Sequence, residues 1–225
     1  MDYETDFLSG LIELQHGEKV VDKLKKISKK VSWARGWPEN DKSFWNAEAY
    51  MWRWKIEKEK RELIFKELKQ FCSKNNLDLG AGAYSYTSST CFDFSEKALH
   101  LNDNCSKTVI GTLEKNLPFE TEQFDSITAI FVLNYIKDVV NLLGEINRIM
   151  KKDGKFIAVF GAKGINEWQA SKEINHFDDN QWKKILSESG FEVNFLKKNN
   201  LWFLICDKKI SSTKTKRLLN KKGIV

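Results

Sequence analysis

The sequence predicts an α/β fold in which a doubly wound, mostly parallel sheet of seven strands follows a helical N-terminal segment. Apolar residues recur at helical spacing through residues 1–73. From residue 76 onward, seven short apolar runs alternate with amphipathic or polar stretches, which is typical of parallel strands joined by crossovers. The last two runs, 191–196 and 201–206, are separated by only four polar residues, and this spacing predicts a closing antiparallel hairpin.

The first five runs are the predicted parallel strands, at 76–80, 90–94, 107–111, 124–133 and 154–160. The fourth and fifth have continuous apolar centres, as expected of strands that are covered on both faces. Between them, residues 137–154 predict a helix with Asp138 as its N-cap, and residues 178–190 predict another helix that ends at a glycine.

The N-terminal segment is predicted to be a helical cap. Gly17 separates two short helices, and a loop over residues 35–43 precedes a single long helix over residues 43–71. The hydroxyl group of Ser43 is the predicted cap of this long helix. The boundaries therefore predict a cap over residues 1–73 and a core over residues 74–207.

The cap contains a tryptophan-rich stretch, residues 33–54. We expect Trp45, Tyr50 and Trp54 to form an aromatic lid over an apolar substrate pocket. Two alternatives remain open at this stage. The rings could simply pack the helix against the core, or they could stack on the bases of a nucleic acid.

The composition favours a folded, soluble protein. The chain has 225 residues, of which 41% are hydrophobic, and this is enough for a sizeable core. No apolar run reaches the ~18 residues of a membrane span, and the acidic N-terminus lacks a signal-peptide core. We therefore expect a cytoplasmic location. The four cysteines show no C-x-x-C spacing, so we expect reduced thiols and no dedicated metal site.

The net charge of +6 arises at one end of the chain. Of the 37 Lys and Arg residues, seven lie in residues 208–225, which contain no acid; the rest has 30 basic and 31 acidic residues. A near-neutral body with a basic end predicts a flexible, solvated tail. The alternative is an arm that contacts RNA phosphates or an acidic membrane surface.

The residues that follow the predicted strands are the candidate ligand-binding groups, because ligands of open α/β sheets lie beyond the carboxyl ends of the strands. Asp78, Gly80 and Gly82 form a glycine turn after the first strand, where the backbone can approach a ligand closely. Asp93 ends the second strand, where an acid can accept hydrogen bonds from both ribose hydroxyls. The next two strand ends carry Thr112, Leu113, Glu114 and residues 133–136.

The connection between the first two strands is short. Only residues 80–90 join them, and their Ser and Thr content predicts an irregular loop in place of a long helix. Tyr84 and Ser85 stand where a third glycine would complete a dinucleotide-binding turn, which argues against a nicotinamide-dependent oxidoreductase.

Together these stretches resemble the class I S-adenosylmethionine-dependent methyltransferases. They are most similar to the methyltransferase type 11 branch, which includes ubiquinone and menaquinone biosynthesis enzymes. The resemblance covers about residues 75–206, and the segments that carry it are Asp78–Tyr84, residues 92–99 and residues 111–160. It implies a Rossmann-like seven-stranded sheet with an antiparallel last strand, and S-adenosylmethionine as cofactor, with S-adenosylhomocysteine as product.

The resemblance also implies roles for individual residues. Asp78, Gly80 and Gly82 would face the methionine part of the cofactor. Independently of the resemblance, Tyr84 is a candidate wall of the same loop, and packing in the core is the alternative. Asp93 would hold the ribose. The remaining implied cofactor contacts are Phe94, Thr112 and Leu113 around the adenine, and Phe131 and Leu133 beneath the sulfonium.

Three positions depart from the pattern of the family. Many relatives have glycine at the position of Tyr84, an acid at that of Thr112 and histidine at that of Asn134. The threonine hydroxyl could still accept the adenine amino group. The catalytic candidates are Asn134, Tyr135 and His176, chosen for their positions near strand ends or a helix start.

The function that these features predict is methyl transfer to a small molecule held under the aromatic lid. Two alternatives are a methyltransferase that acts on tRNA, rRNA or protein, with the basic tail as an RNA-binding arm, and a methyltransferase-like binding protein without activity.

Overall fold

The computed structural model describes residues 2–161 and 167–209, apart from the side chains of Arg53, Trp54 and Glu167. The predicted tail therefore lies outside the described residues from position 210 onward. The helices are α1 (Tyr3–Gln15), α2 (Val21–Ser28), α3 (Asp41–Lys55), α4 (Lys58–Leu68), α5 (Glu96–His100), α6 (Val139–Ile149), α7 (Glu167–Ala170) and α8 (Asp179–Glu188).

The described strands form one seven-stranded sheet in the order β3-β2-β1-β4-β5-β7-β6. They are β1 (Asn76–Leu79), β2 (Ser89–Asp93), β3 (Cys105–Ile110), β4 (Phe124–Ile130), β5 (Met150–Gly161), β6 (Phe191–Lys198) and β7 (Leu201–Lys208). The first five strands pair in parallel, and β7 runs antiparallel to both β5 and β6. The predicted fold class is confirmed.

The sheet is covered on both faces, as the apolar strand centres predicted. On one face, α6 buries a stripe that includes Leu143 and Ile146 against the core. On the other face, Ile64 and Leu68 of α4 pack with Val159 and its neighbours. Each fully buried Leu or Ile side chain contributes roughly 1.5–3 kcal/mol, so these two helices fix the sheet between them.

The N-terminal cap differs from its prediction in two respects. The expected single helix over residues 43–71 is two helices, because Ile56 adopts an extended conformation and is buried. The predicted N-cap of the helix, Ser43, is also wrong. The Asn40 side chain accepts the hydrogen bond from the Ser43 N–H, while the Ser43 hydroxyl donates to the Arg35 carbonyl. The break turns α4 onto the sheet, which a straight helix could not reach in the same way.

The expectation of four reduced thiols is also wrong, because Cys91 and Cys105 form a disulfide. They are 14 residues apart in sequence, and their Cα atoms are 5.6 Å apart because β2 and β3 are adjacent parallel strands. Sequence spacing does not reveal such a pair, since it depends on strand order. Cys72 and Cys206 are free.

The described residues give two further results. None of their helices has the length and apolar character needed to cross a bilayer. Nor do they bring three or more His, Cys, Asp or Glu side chains together in a group that could bind a metal ion.

Candidate active site

A cavity of about 420 Å³ lies at the carboxyl ends of the central strands, between the core and the cap. Nine of the ten predicted cofactor-binding residues line it: Asp78, Gly80, Gly82, Tyr84, Asp93, Phe94, Thr112, Leu113 and Phe131. The strand-end rule therefore brings these residues to one place from separate parts of the sequence.

Leu133 is the predicted cofactor residue that the structure places elsewhere. It is fully buried in the core on the α6 side of the sheet and does not line the cavity. The cause is a change in chain direction: β4 ends at Ile130, Phe131 has a φ of +57°, and a 3-10 turn follows over Leu133–Tyr135. This turn presents Phe131 to the cavity and directs Leu133 into the core.

The glycine turn after β1 depends on the absence of side chains. Gly80 has a φ of +62°, and a Cβ atom there would lie 2.7 Å from a methyl carbon of Val132. Gly82 has a φ of +55°, and its N–H donates to Oδ2 of Asp93 over 3.0 Å. The turn is therefore held against the end of β2 in a conformation that favours glycine.

Asp78 is a buried carboxylate that no described cation neutralises. It is 3% exposed, and its Oδ1 accepts a hydrogen bond of 2.7 Å from the Thr128 hydroxyl. Burial raises the pKa of Asp78 from 3.8 to about 6, and the hydroxyls of Ser85 and Thr128 limit this rise. A buried carboxylate at a cavity wall is well suited to bind a ligand cation.

Asp93 connects two loops at the end of β2. Its Oδ1 accepts the Ser95 N–H over 2.7 Å, and its Oδ2 accepts the Gly82 N–H. Burial raises the pKa of Asp93, while these backbone hydrogen bonds lower it. Each carboxylate oxygen has further lone pairs, so the side chain can also accept hydroxyl groups from a ligand.

The connection between β1 and β2 contains no helix, so the predicted irregular loop is confirmed. Asn102, which the sequence did not indicate, shapes this loop. Its Nδ2 donates to the Gly82 carbonyl over 3.1 Å, and its Oδ1 accepts the Ser85 N–H over 3.1 Å. Asn104 adds a donor to the Ser85 carbonyl. In the sequence, two asparagines near a helix end indicate a turn. They do not indicate which distant loop their side chains bind.

The residues Thr112 and Leu113, which are predicted to contact the adenine, follow β3 in the chain. The Thr112 hydroxyl accepts the Glu114 N–H over 3.2 Å. The Glu114 carboxylate in turn accepts the Lys137 N–H over 2.9 Å, ahead of α6. Thr112 and Leu113 therefore sit in a turn that is fixed to the next helix, while both line the cavity.

The cap contributes aromatic rings to the cavity, but not all of those predicted. Trp45 and Trp52 line it, with ring centroids 4.7 Å from Tyr135 and 6.2 Å from Phe131, respectively. Tyr50 does not: its hydroxyl accepts a hydrogen bond from Lys97, away from the cavity. Positions 45 and 52 are two helical turns apart and share a face of α3, which Tyr50 does not share. The side chain of Trp54 lies outside the described residues.

A buried carboxylate links the cap to the segment after β5. Glu48 lines the cavity and is 8% exposed. It forms an ion pair with Lys55 and accepts a hydrogen bond of 2.7 Å from Gln169. Lys172 strengthens the same junction through an ion pair with Asp41 at 2.9 Å. The cap thus closes one side of the cavity in contact with residues 167–175.

Of the three catalytic candidates, only Tyr135 lines the cavity. Burial, and then the charges of Glu173 and Glu48, raise the pKa of Tyr135 well above its usual value, so the phenol stays protonated and can donate a hydrogen bond. Asn134 lies beside the wall, where its Nδ2 donates to Glu173. His176 is exposed on the surface and does not reach the cavity.

The strand order and the glycine-and-acid cradle define the class as a Rossmann-like methyltransferase fold. Comparison with known proteins agrees. Residues 77–158 match a family described as a methyltransferase domain. Structures of S-adenosylmethionine-dependent methyltransferases share the fold. The match over residues 77–158 and the shared fold support the class that the sequence predicted, the class I S-adenosylmethionine-dependent methyltransferases.

Particular relatives are similar over different lengths. A demethylmenaquinone methyltransferase of Staphylococcus saprophyticus is 27% identical over 176 residues, which cover 58% of this chain and 76% of the relative. A mitochondrial arginine-hydroxylase of Homo sapiens is 34% identical over 88 residues, 36% of this chain and 25% of the relative. The chain thus spans a quarter of the second protein.

A structural neighbour was solved in complex with a methyltransferase activator, Trm112, from Haloferax volcanii. It has a TM-score of 0.57 and 15% sequence identity, and the match covers 74% of this chain and 98% of the neighbour. This likeness shows the shared fold.

Proposed function

We propose that the chain transfers a methyl group from S-adenosylmethionine to a small molecule that binds between the core and the cap. The observation that carries the proposal is the shared cavity. One wall carries the strand-end acids and glycines, and the opposite wall carries Trp45 and Trp52. One of the relatives is named for demethylmenaquinone, which favours a small acceptor.

The residues of the cavity fit this cofactor. Asp78 is buried without a described cation, and it would bind the ammonium group. Gly80 and Gly82 line the cavity with positive φ angles and no side chains, so the backbone can approach the ligand. Asp93 would accept the ribose hydroxyls. When bound, S-adenosylmethionine supplies a methyl group on a positively charged sulfur atom.

The contribution of the protein would be alignment and exclusion of water. Cofactor and acceptor held on opposite walls react as an intramolecular pair, which lowers the entropic part of the barrier. The rings of Trp45, Trp52 and Phe131 give the acceptor side an apolar surface, and an aromatic face stabilises a nearby cation by about 0.5–2 kcal/mol. Tyr135 would orient the acceptor by donating a hydrogen bond.

Calorimetric titration with S-adenosylmethionine and S-adenosylhomocysteine tests the cofactor assignment. We expect both to bind, and we expect Asp93→Ala to weaken binding by about 1.5–3 kcal/mol, the value of hydrogen bonds to a charged group. Absence of binding at millimolar ligand would refute the proposal. An unchanged affinity of the Asp93 variant would refute the ribose contact alone.

The acceptor class requires a second experiment. The protein would be incubated with S-adenosylmethionine labelled in the methyl group and with separate small-molecule, RNA and protein fractions. Asp93→Ala, with its weakened cofactor binding, serves as the control of reduced activity. Label in the small-molecule fraction supports the proposal, whereas label confined to RNA or protein contradicts it.

RNA is the second candidate acceptor, favoured by the rim of the cavity. Lys42 and Lys137 line the cavity, are exposed, and form no ion pair with the residues that the structure describes. Together with residues 208–225 they could contact phosphates. Deletion of residues 210–225 should then reduce the salt dependence of RNA binding, and an unchanged slope would exclude the tail from that role.

A further inference from the structure

The loop between β1 and β2 carries a buried hydroxyl group that no described residue satisfies. Tyr86 lines the cavity and is 4% exposed, and its Oη has no hydrogen-bond partner among the described residues. Buried tyrosine hydroxyls usually have a partner, because an unsatisfied one costs about 1–3 kcal/mol. The position of Tyr86 next to the glycine turn suggests that the missing partner is a ligand.

A positive charge without a described partner lies beside the same loop. Arg61 of α4 places its guanidinium 5.9 Å from the centre of the Tyr84 ring. Arg61 forms no ion pair with a described carboxylate, and its helix neighbours Glu57 and Glu62 pair with lysines instead. Guanidinium groups bind carboxylates through two parallel hydrogen bonds, so Arg61 has unused capacity for an anion.

These groups lie at one corner of the cavity: Asp78, Tyr84 and Tyr86 line it, and Arg61 does not line it but lies over the Tyr84 ring. The rings of Tyr84 and Tyr86 are in edge contact, with centroids 5.1 Å apart, and Tyr86 packs in the same cluster as Ile64 of α4. Burial raises the pKa of Tyr86 well above its usual value; Asp78 adds to this rise and Arg61 opposes it. The Tyr86 hydroxyl therefore stays protonated and can donate a hydrogen bond.

The corner therefore offers an acid on one side and a cation with a hydroxyl donor on the other. An α-amino acid has the complementary arrangement, with its ammonium and carboxylate on one carbon atom. We propose that Arg61 and the Tyr86 hydroxyl bind the carboxylate of the cofactor's amino-acid end, while Asp78 binds its ammonium. This assignment rests on the proposed cofactor, and it makes helix α4 of the cap part of cofactor recognition.

The short connection between β1 and β2 is what makes this contact available. A helix after the glycine turn would occupy the space in which Tyr84 and Tyr86 stand, and α4 could not then approach the turn. The side chain that departs from the family pattern at position 84 becomes the platform for Arg61.

The test compares two ligands that differ only in the carboxylate. S-adenosylmethionine has it, and decarboxylated S-adenosylmethionine retains the amine and the sulfonium but lacks it. Binding of each would be measured by calorimetry to the wild type, Arg61→Gln and Tyr86→Phe. Lys58→Gln is the matched control, since it removes a positive charge from the exposed face of the same helix.

We expect Arg61→Gln and Tyr86→Phe to weaken binding of S-adenosylmethionine by roughly 10- to 100-fold, as for other hydrogen bonds to a charged group. Neither variant should change binding of the decarboxylated ligand by more than about twofold, and Lys58→Gln should change neither affinity. Arg61 is partly exposed, so its variant tests the idea even if Tyr86→Phe fails to fold.

Equal losses for both ligands, or no loss for either, would overturn the assignment while the cofactor proposal stands. Wild-type protein that binds neither ligand would overturn both. The two failures are therefore distinguishable.

Discussion

The two walls of the cavity differ in what determines their shape. The core wall depends on backbone conformation and buried acids: Gly80 and Gly82 have positive φ angles, and Asp78 is held under the turn by a hydroxyl. The cap wall consists of large side chains on α3, mainly Trp45 and Trp52. The match to the methyltransferase family covers residues 77–158, which include the first wall and exclude the second.

The two walls should therefore tolerate amino-acid substitution to different degrees. A glycine with a positive φ angle cannot be replaced without backbone strain, and a buried acid cannot be replaced without loss of the charge that would bind a ligand cation, so little change is tolerated in the core wall. An aromatic ring on a helix face can be exchanged for another side chain with less disturbance, so the cap wall can be adapted to an acceptor.

The largest effect is expected from Gly80→Ala. The new Cβ atom would lie 2.7 Å from Val132, at a φ of +62°. Left-handed strain and overpacking together should lower the free energy of unfolding by about 3 kcal/mol and abolish cofactor binding, as measured by denaturant titration and calorimetry. Adding Val132→Ala should restore part of the stability, because it removes the clash but not the strain.

Gly17→Ala is the matched control for this prediction. Gly17 has a φ of +89°, but nothing lies within 4 Å of its added Cβ atom. It should reduce stability by about 1 kcal/mol and leave cofactor binding unchanged. Equal effects of the two variants on binding would contradict the importance of the close approach at Gly80.

Asp78→Asn should separate stability from binding. The pKa of Asp78 rises from 3.8 in the unfolded chain to about 6 in the fold, which corresponds to about 3 kcal/mol. Because the folded value is raised, the charged form destabilises the apo protein above pH 6, and this penalty disappears as the pH falls below about 4.

The asparagine variant should therefore be up to about 3 kcal/mol more stable than the wild type at pH 7.5, with the difference lost near pH 4. It should also bind S-adenosylmethionine far more weakly. Wild-type affinity should fall as the pH drops below about 6. Denaturation and calorimetry over this pH range measure both, and a less stable variant at pH 7.5 would contradict the assignment.

Loss of the disulfide between Cys91 and Cys105 should have the next largest effect on stability. The bond closes a loop of about 15 residues, for which chain entropy gives about 3 kcal/mol as an upper estimate. Thiol counting without reductant should find two free thiols, and Cys105→Ser should lower the melting temperature. Because neither cysteine lines the cavity, we expect cofactor affinity to fall only a few-fold. Four free thiols under oxidising conditions would contradict the pairing.

The smallest effect on cofactor affinity is expected from a substitution in the N-terminal cap. Trp45→Ala should change the affinity for S-adenosylhomocysteine by less than about threefold, since the ring faces Tyr135. Once an acceptor is known, its KM should rise about tenfold, the value of one lost aromatic contact. Trp202→Phe, remote from the cavity, is the control. A large loss of cofactor affinity in the Trp45 variant would break the contrast between the two walls.

Much of the core could be predicted from the sequence because its signals are local. Apolar runs reveal the strands, and the strand-end rule then places Asp78 and Asp93 in one cavity. The features that were predicted wrongly or missed depend on contacts between residues far apart in the sequence. The break at Ile56 follows from its burial against the core, the Cys91–Cys105 bond follows from strand order, and Asn102 acts on a loop 17 to 20 residues away. None of these long-range contacts produces a periodic pattern in the sequence.

Trp45 and Trp52 also make the cavity observable. Both indole rings lie in its wall, so their fluorescence depends on what occupies the space beside them. A bound adenine or an acceptor ring would quench this emission, whereas the contribution of deeply buried Trp182 would stay constant. Rapid-mixing measurements on the unlabelled protein could therefore record whether cofactor or acceptor enters first, and how fast each one leaves.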